Sequence, residues 1–126
     1  MKNLFKTLTL SLFAILAFTT NLFSEQLTLK GTIQGASCVI NKTYCPEDSS
    51  DPAVVLENDF VFVDEAKNHY FLTNVGKFAK INLLNEEIDI VAKKNGKKLM
   101  VDSIFQGNFK IWDYEQIKES LSRPNN

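Results

Sequence analysis

Ile88-Asp89-Ile90-Val91-Ala92-Lys93-Lys94-Asn95-Gly96-Lys97-Lys98-Leu99-Met100-Val101-Asp102-Ser103-Ile104-Phe105 consists of two β-rich runs around an Asn-Gly pair. Asn-Gly is favoured in a two-residue type I′ hairpin turn because both central positions need positive φ. A turn there sets Lys94 against Lys97, Lys93 against Lys98, Ala92 against Leu99, Val91 against Met100, Ile90 against Val101 and Asp89 against Asp102. Ile88, Ile90, Ala92, Leu99 and Val101 then share one face, which this register assigns to the core.

Working back from the hairpin, residues 73–85 change character. Val75, Phe78, Ile81 and Leu84 recur at helical spacing, Thr73 or Asn74 can cap the start, and Gly76 limits the segment to one or two turns. Before it, Phe60-Val61-Phe62-Val63 and His69-Tyr70-Phe71-Leu72 read as two paired strands joined at Asp64–Asn68. Earlier still, Leu27, Leu29, Gly31 and Ile33 alternate with Thr28, Lys30 and Thr32, the period of a half-buried strand. Gly31 inside that strand marks a bend or bulge.

Forward of the hairpin, Gln106-Gly107-Asn108 breaks the strand and Phe109–Trp112 is a short extended or strand-like piece. Asp113 fits an N-cap with Gln116 three residues on. Tyr114, Ile117 and Leu121 form one apolar stripe, giving a C-terminal helix that ends before Pro124.

The chain opens with Lys2 and Lys6, then an apolar run from Leu8 to Phe18, then small and polar residues to Ser24. This is the order of a secretory signal peptide, and the apolar run is shorter than the roughly 20 residues a membrane span needs. Residues 1–24 are therefore assigned to a cleaved leader and 25–126 to a single domain, with a helical extension from about residue 113. The leader holds Lys2 and Lys6 and no acidic residue. The remainder has 12 basic and 15 acidic residues, a net charge of −3. Nonspecific nucleic-acid binding needs a cationic surface, so nucleic acid is excluded as a partner. The expected location is the periplasm or the secreted medium.

Cys38 and Cys45, with six residues between them, follow the first strand. In an exported protein such a pair forms a disulfide. The spacing is not that of a Cys-x-x-Cys redox motif or a haem attachment sequence. The alternative is a thiolate metal site recruiting His69, with Asp48 as a further candidate, since closed zinc sites take four ligands. Just beyond lie Tyr44, Glu47, Asp48 and Asp51, a polar turn bounded by Pro46 and Pro52 that is a candidate contact surface. Two or three carboxylates fall short of the oxygen ligands calcium takes.

His69 is the sole histidine, and no serine sits in a nucleophile motif, so no catalytic set can be assembled and the chain is read as a non-enzyme. Lys93, Lys94, Lys97 and Lys98 crowd the hairpin tip. Lysines there commonly protect an exposed strand edge; the alternative is contact with an anionic membrane surface or an acidic partner.

The order is strand, cysteine loop, hairpin, short helix, hairpin. That is an all-β class with short helices: five strands, a helix between the third and fourth, and the layout of a small OB-like antiparallel barrel. The segments Leu27–Cys38, the hairpin ending at Phe71-Leu72, and Ile88–Phe105 resemble the small secreted bacterial OB-fold-like domains. Some of those carry further cysteine and histidine residues in the loop after the first strand, which implies metal binding; this loop has two cysteines and no histidine. The expected function is an exported, non-catalytic binding or accessory domain without a cofactor. Its disulfide-closed first loop would contact a protein or small ligand. The alternative is a periplasmic metal-binding protein with Cys38 and Cys45 as ligands.

Overall fold

The computed structural model describes residues 25–124, and the leader assigned to residues 1–24 lies outside them. The elements run β1 Gln26–Gly35, α1 Ala36–Asn41, a 3₁₀ turn Pro52–Leu56, β2 Phe60–Asp64, β3 His69–Leu72, α2 Lys77–Asn82, β4 Ile88–Asn95, β5 Lys98–Gln106, β6 Phe109–Asp113 and α3 Tyr114–Ser122. Among the described residues, six strands form one sheet in the order β3-β2-β1-β4-β5-β6, each neighbouring pair antiparallel. β3 also pairs with β5 in parallel, Phe71 with Lys98 and Leu72 with Leu99. A sixth strand joins the five expected, because Phe109–Asp113 pairs with Ser103–Gln106 instead of leaving the sheet.

β1 divides its pairing. Residues 26–31 lie against β4 and residues 31–35 against β2, and Gly31 has a partner in both. A Cβ at Gly31 would sit on the Val63 carbonyl oxygen and come within 2.8 Å of the Val63 carbonyl carbon and 3.0 Å of Asp64 Cα. The bend expected at this glycine is thus a close approach of two backbones that excludes any side chain.

The core forms where the periods meet. Ile33, Phe60, Phe62, Tyr70, Leu72, Ile88, Ile90, Ala92, Leu99, Val101 and Ile104 are buried in one cluster, with Leu29 and Trp112 packed against it. The core face assigned to the 88–105 hairpin therefore holds, but its register does not. Asn95 pairs with Lys98, Lys94 with Leu99, Lys93 with Met100 and Ala92 with Val101. The two loop residues are Gly96 and Lys97, with Gly96 at φ 61, which places glycine first as in a type II′ turn. Advancing the loop by one residue moves the register by two, so every side chain keeps its face. A bulge between Val91 and Ala92 then sets Val91 against Ser103, Ile90 against Ile104 and Asp89 against Phe105. The expected Asp89–Asp102 pair does not form: Asp102 falls in the bulge and accepts a hydrogen bond from Gln26 Nε2 at 2.6 Å.

The helix between β3 and β4 exists but starts later than expected. Its N-cap is Gly76, not Thr73 or Asn74. Both of those residues extend the β3–β5 contact: Thr73 N donates to Leu99 O at 3.0 Å, and the Asn74 side chain exchanges two hydrogen bonds with the Val101 backbone at 2.7 and 2.8 Å. Phe78, expected in the apolar stripe, is 84% exposed. The helix instead turns Lys80 inward, where its Nζ donates to Asp59 at 2.8 Å. α3 begins as expected, with Asp113 accepting from Glu115 N and Gln116 N. None of its residues is buried.

Candidate functional site

The candidate site lies after the C-terminal end of β1, where the chain turns into α1. A helix of six residues leaves its first N–H groups without partners inside it. The Gly35 N-cap has no side chain to supply. Glu57, 3% exposed, takes over that role: one carboxylate oxygen accepts from Ser37 N at 2.8 Å and the other from Cys38 N at 3.1 Å. Its own carbonyl accepts from Lys77 Nζ at 3.1 Å, tying the start of α1 to the start of α2.

α1 ends at Asn41, and Lys42 turns the chain at φ 57. Cys45 then returns to Cys38 and the two form a disulfide, with Cα atoms 4.9 Å apart, inside the usual range for the bond. Cys38 is buried and Cys45 is exposed. The bridge is compatible with an oxidising, exported compartment. It also occupies both sulfurs that the metal alternative would use. His69 opens β3 opposite Val63, with its ring edge-on to Phe71 at 6.2 Å. Among the described residues, no group of three or more His, Cys, Asp or Glu side chains is placed to hold a metal ion.

The bridge closes a loop whose ends are seven positions apart. Closing so short a loop restricts the unfolded chain by about 2.5 kcal/mol. Cys38→Ser/Cys45→Ser is therefore expected to lose about that much stability, read as a lower urea midpoint.

Beyond the bridge the turn satisfies its own polar groups. Pro46 is buried, and Asn85 Nδ2 donates to Pro46 O at 2.9 Å and Glu47 O at 2.7 Å, while Asn85 N donates to Ile33 O at 3.0 Å. Asp51 accepts from Glu47 N at 3.0 Å, Tyr44 Oη at 3.1 Å and Ala53 N at 2.9 Å, and so caps the 3₁₀ turn. Asp48 accepts from Ser50 N at 2.8 Å and Ser50 Oγ at 2.6 Å. Asp48 and Asp51 therefore act as turn and cap acceptors. The Glu47 side chain is exposed.

These bonds shift the titrations. The backbone N–H of Glu47, then that of Ala53, holds Asp51 below the ordinary carboxylate value, and the Ser50 hydroxyl followed by its N–H does the same for Asp48. Asp51 raises Tyr44 through the hydrogen bond and then through its charge. A carboxylate depressed in the folded state stabilises it above the unfolded value of 3.8, and that contribution disappears as pH falls through the folded value. The thermal midpoint is expected to fall below pH 3.8, and Asp51→Asn is expected to flatten that acid limb. An unchanged acid limb would contradict the role given to Asp51.

Two grooves flank the loop. One, of about 420 Å³, is lined by Gln34, Cys38, Val39, Lys42, Cys45 and Val63 among others. The other, of about 370 Å³, is lined by Ser37, Asn41, Thr43, Tyr44, Ala53, Leu56 and Glu57. Tyr44 and Leu56 are 65% and 78% exposed, and Val55 beside them is 82% exposed.

The remaining predicted residues lie elsewhere. Lys93 pairs with Gln26, the first residue of β1, whereas the cysteine loop follows the last. The candidates therefore fall into two groups at opposite ends of β1: Cys38, Tyr44, Cys45, Glu47, Asp48 and Asp51 in one, and Lys93, Lys94, Lys97 and Lys98 in the other. Comparison with protein-family models, curated proteins and solved structures finds no match for this chain.

Proposed function

We propose that the chain is an exported, non-catalytic accessory domain built on a five-stranded OB-like barrel, contacting a protein or small ligand through its disulfide-closed first loop. The barrel reading is supported by the pairings β1–β2, β2–β3, β3–β5, β5–β4 and β4–β1, which lead back to the starting strand. It is also supported by the divided β1 and by a helix between β3 and β4. β6 and α3 extend that unit.

One observation carries the contact surface. A loop fixed by a disulfide, by Asn85 and by Asp51 displays the apolar side chains of Tyr44 and Leu56 along one groove. Loops held in place by internal bonds lose little freedom on binding, and exposed apolar groups gain from being covered. A partner seated there buries Tyr44 and Leu56, with Glu47 at the polar rim.

The test is photo-cross-linking in the exported compartment from benzoylphenylalanine placed at Leu56, with the same group at Lys118 on α3 as the comparison. A discrete adduct from position 56 and none from 118 is expected. Equal labelling from both positions, or none from 56, would refute the assignment of the loop.

A further inference from the structure

We propose that the Lys93–Lys98 hairpin is a docking surface for an anionic lipid bilayer, separate from the cysteine loop. Edge protection would account for lysines on a strand with one free side. Lys93 and Lys98 have no such side. Lys93 lies between Gln26 of β1 and Met100 of β5, and Lys98 lies between Asn95 of β4 and Phe71 of β3. By contrast, β6 has β5 as its one neighbour and carries a single lysine, Lys110. Lys93 and Lys98 thus stand where the sheet does not need them, and Lys94 and Lys97 lie over Tyr70 beside them.

Their charge is also uncompensated. Both ion pairs among the described residues, Lys80–Asp59 and Lys110–Asp113, involve other lysines. Asp102, close by on β5, accepts from Gln26. Residues 25–126 carry 12 basic and 15 acidic groups, so removing these four lysines leaves 8 against 15. Positive charge is gathered at one end of an otherwise acidic chain, which orients it toward a negative surface.

The local shape fits a headgroup layer. Lys94 and Lys97 hold their ammonium groups 5.3 and 5.8 Å from the centre of the buried Tyr70 ring. Lys93, Lys94 and Lys98 rim a groove of about 310 Å³ with Thr73, Asn95 and Met100. Met100 is 44% exposed between them. Ammonium groups at the rim meet lipid phosphates, while Met100 and the lysine methylene stems face the less polar glycerol region. An acidic protein would use the same charges but has no need of an exposed methionine among them.

The test uses protein expressed as the full chain and recovered from the exported fraction, sedimented with phosphatidylcholine vesicles and with vesicles that also contain phosphatidylglycerol. The phosphatidylcholine arm reads any contribution that is not electrostatic. Binding is expected with phosphatidylglycerol alone and is expected to weaken with added salt. Neutralising each lysine should weaken it about fivefold, so changing all four to Gln should cost on the order of a hundredfold or more. Changing all four to Arg should preserve binding and guards against a folding defect in the Gln variant. Lys110→Gln/Lys118→Gln should bind as the parent does. Equal binding to both vesicle types, retained binding by the four-Gln variant, loss in the four-Arg variant, or binding to polyglutamate in place of vesicles would each overturn the proposal. No outcome depends on the cysteine loop, so a failed cross-link from Leu56 leaves this test intact.

Discussion

Gly31→Ala is expected to destabilise the protein by about 3 kcal/mol or more, an effect at the upper end for an overpacked site. The added methyl meets main-chain atoms, the Val63 carbonyl and Asp64 Cα, which have no rotamer by which to move aside. Gly31 is also the residue where β1 passes from β4 to β2, so a shift there disturbs both ladders. Gly96→Ala is the informative contrast. Gly96 has open space around its Cβ position and φ 61, so alanine there costs about 1 kcal/mol of left-handed strain and touches nothing. Urea denaturation of the two variants should separate them clearly. A Gly31→Ala protein as stable as Gly96→Ala would mean that the two backbones do not approach as described.

Glu57→Ala should lose about 3 kcal/mol, because two N–H groups at the start of α1 lose their acceptors and a buried site is emptied. Glu57→Gln keeps one carbonyl oxygen but turns an NH₂ toward the other N–H. It is expected to fall between parent and alanine. Gly35 belongs to the same arrangement: a Cβ there would run into the Glu57 side chain, 2.8 Å from Cγ, so Gly35→Ala displaces the carboxylate that caps the helix. If Glu57→Gln were as stable as the parent, acceptance by both oxygens would not be what holds α1.

Local patterns account for much of what the sequence revealed. Alternation placed Ile88, Ile90, Ala92, Leu99 and Val101 on the core face even though the turn was misplaced, because a register moved by two leaves each side chain on its side. Asp113 as a cap and Cys38 with Cys45 as a pair were equally local signals. What was not legible depends on partners far along the chain. Glu57 reaches back 19 and 20 positions, Asn74 reaches 27 forward, and Asn85 holds Pro46 and Glu47 from 39 and 38 positions away. Nothing in the residues around Glu57 distinguishes a buried cap from a charge in a solvated turn. α2 misled for the same reason: Phe78 had the spacing of a core residue, but the inward position went to Lys80, whose partner Asp59 is 21 residues earlier. The strand-like piece Phe109–Trp112 pairs with β5 through a bulge at Ile111, which the step from Ile104 to Phe105 leaves without a partner of its own.

Export and a covalently closed first loop are the two properties on which the proposed function depends. The most direct measurement is the intact mass of protein recovered from the exported fraction and treated with a thiol-alkylating reagent without reductant. The chain is expected to have lost its leader near Ser24, to be lighter than the fully reduced form by the two hydrogens removed on oxidation, and to carry no alkyl group. A chain that retains residues 1–24, or one alkylated at both Cys38 and Cys45, would contradict the proposed function.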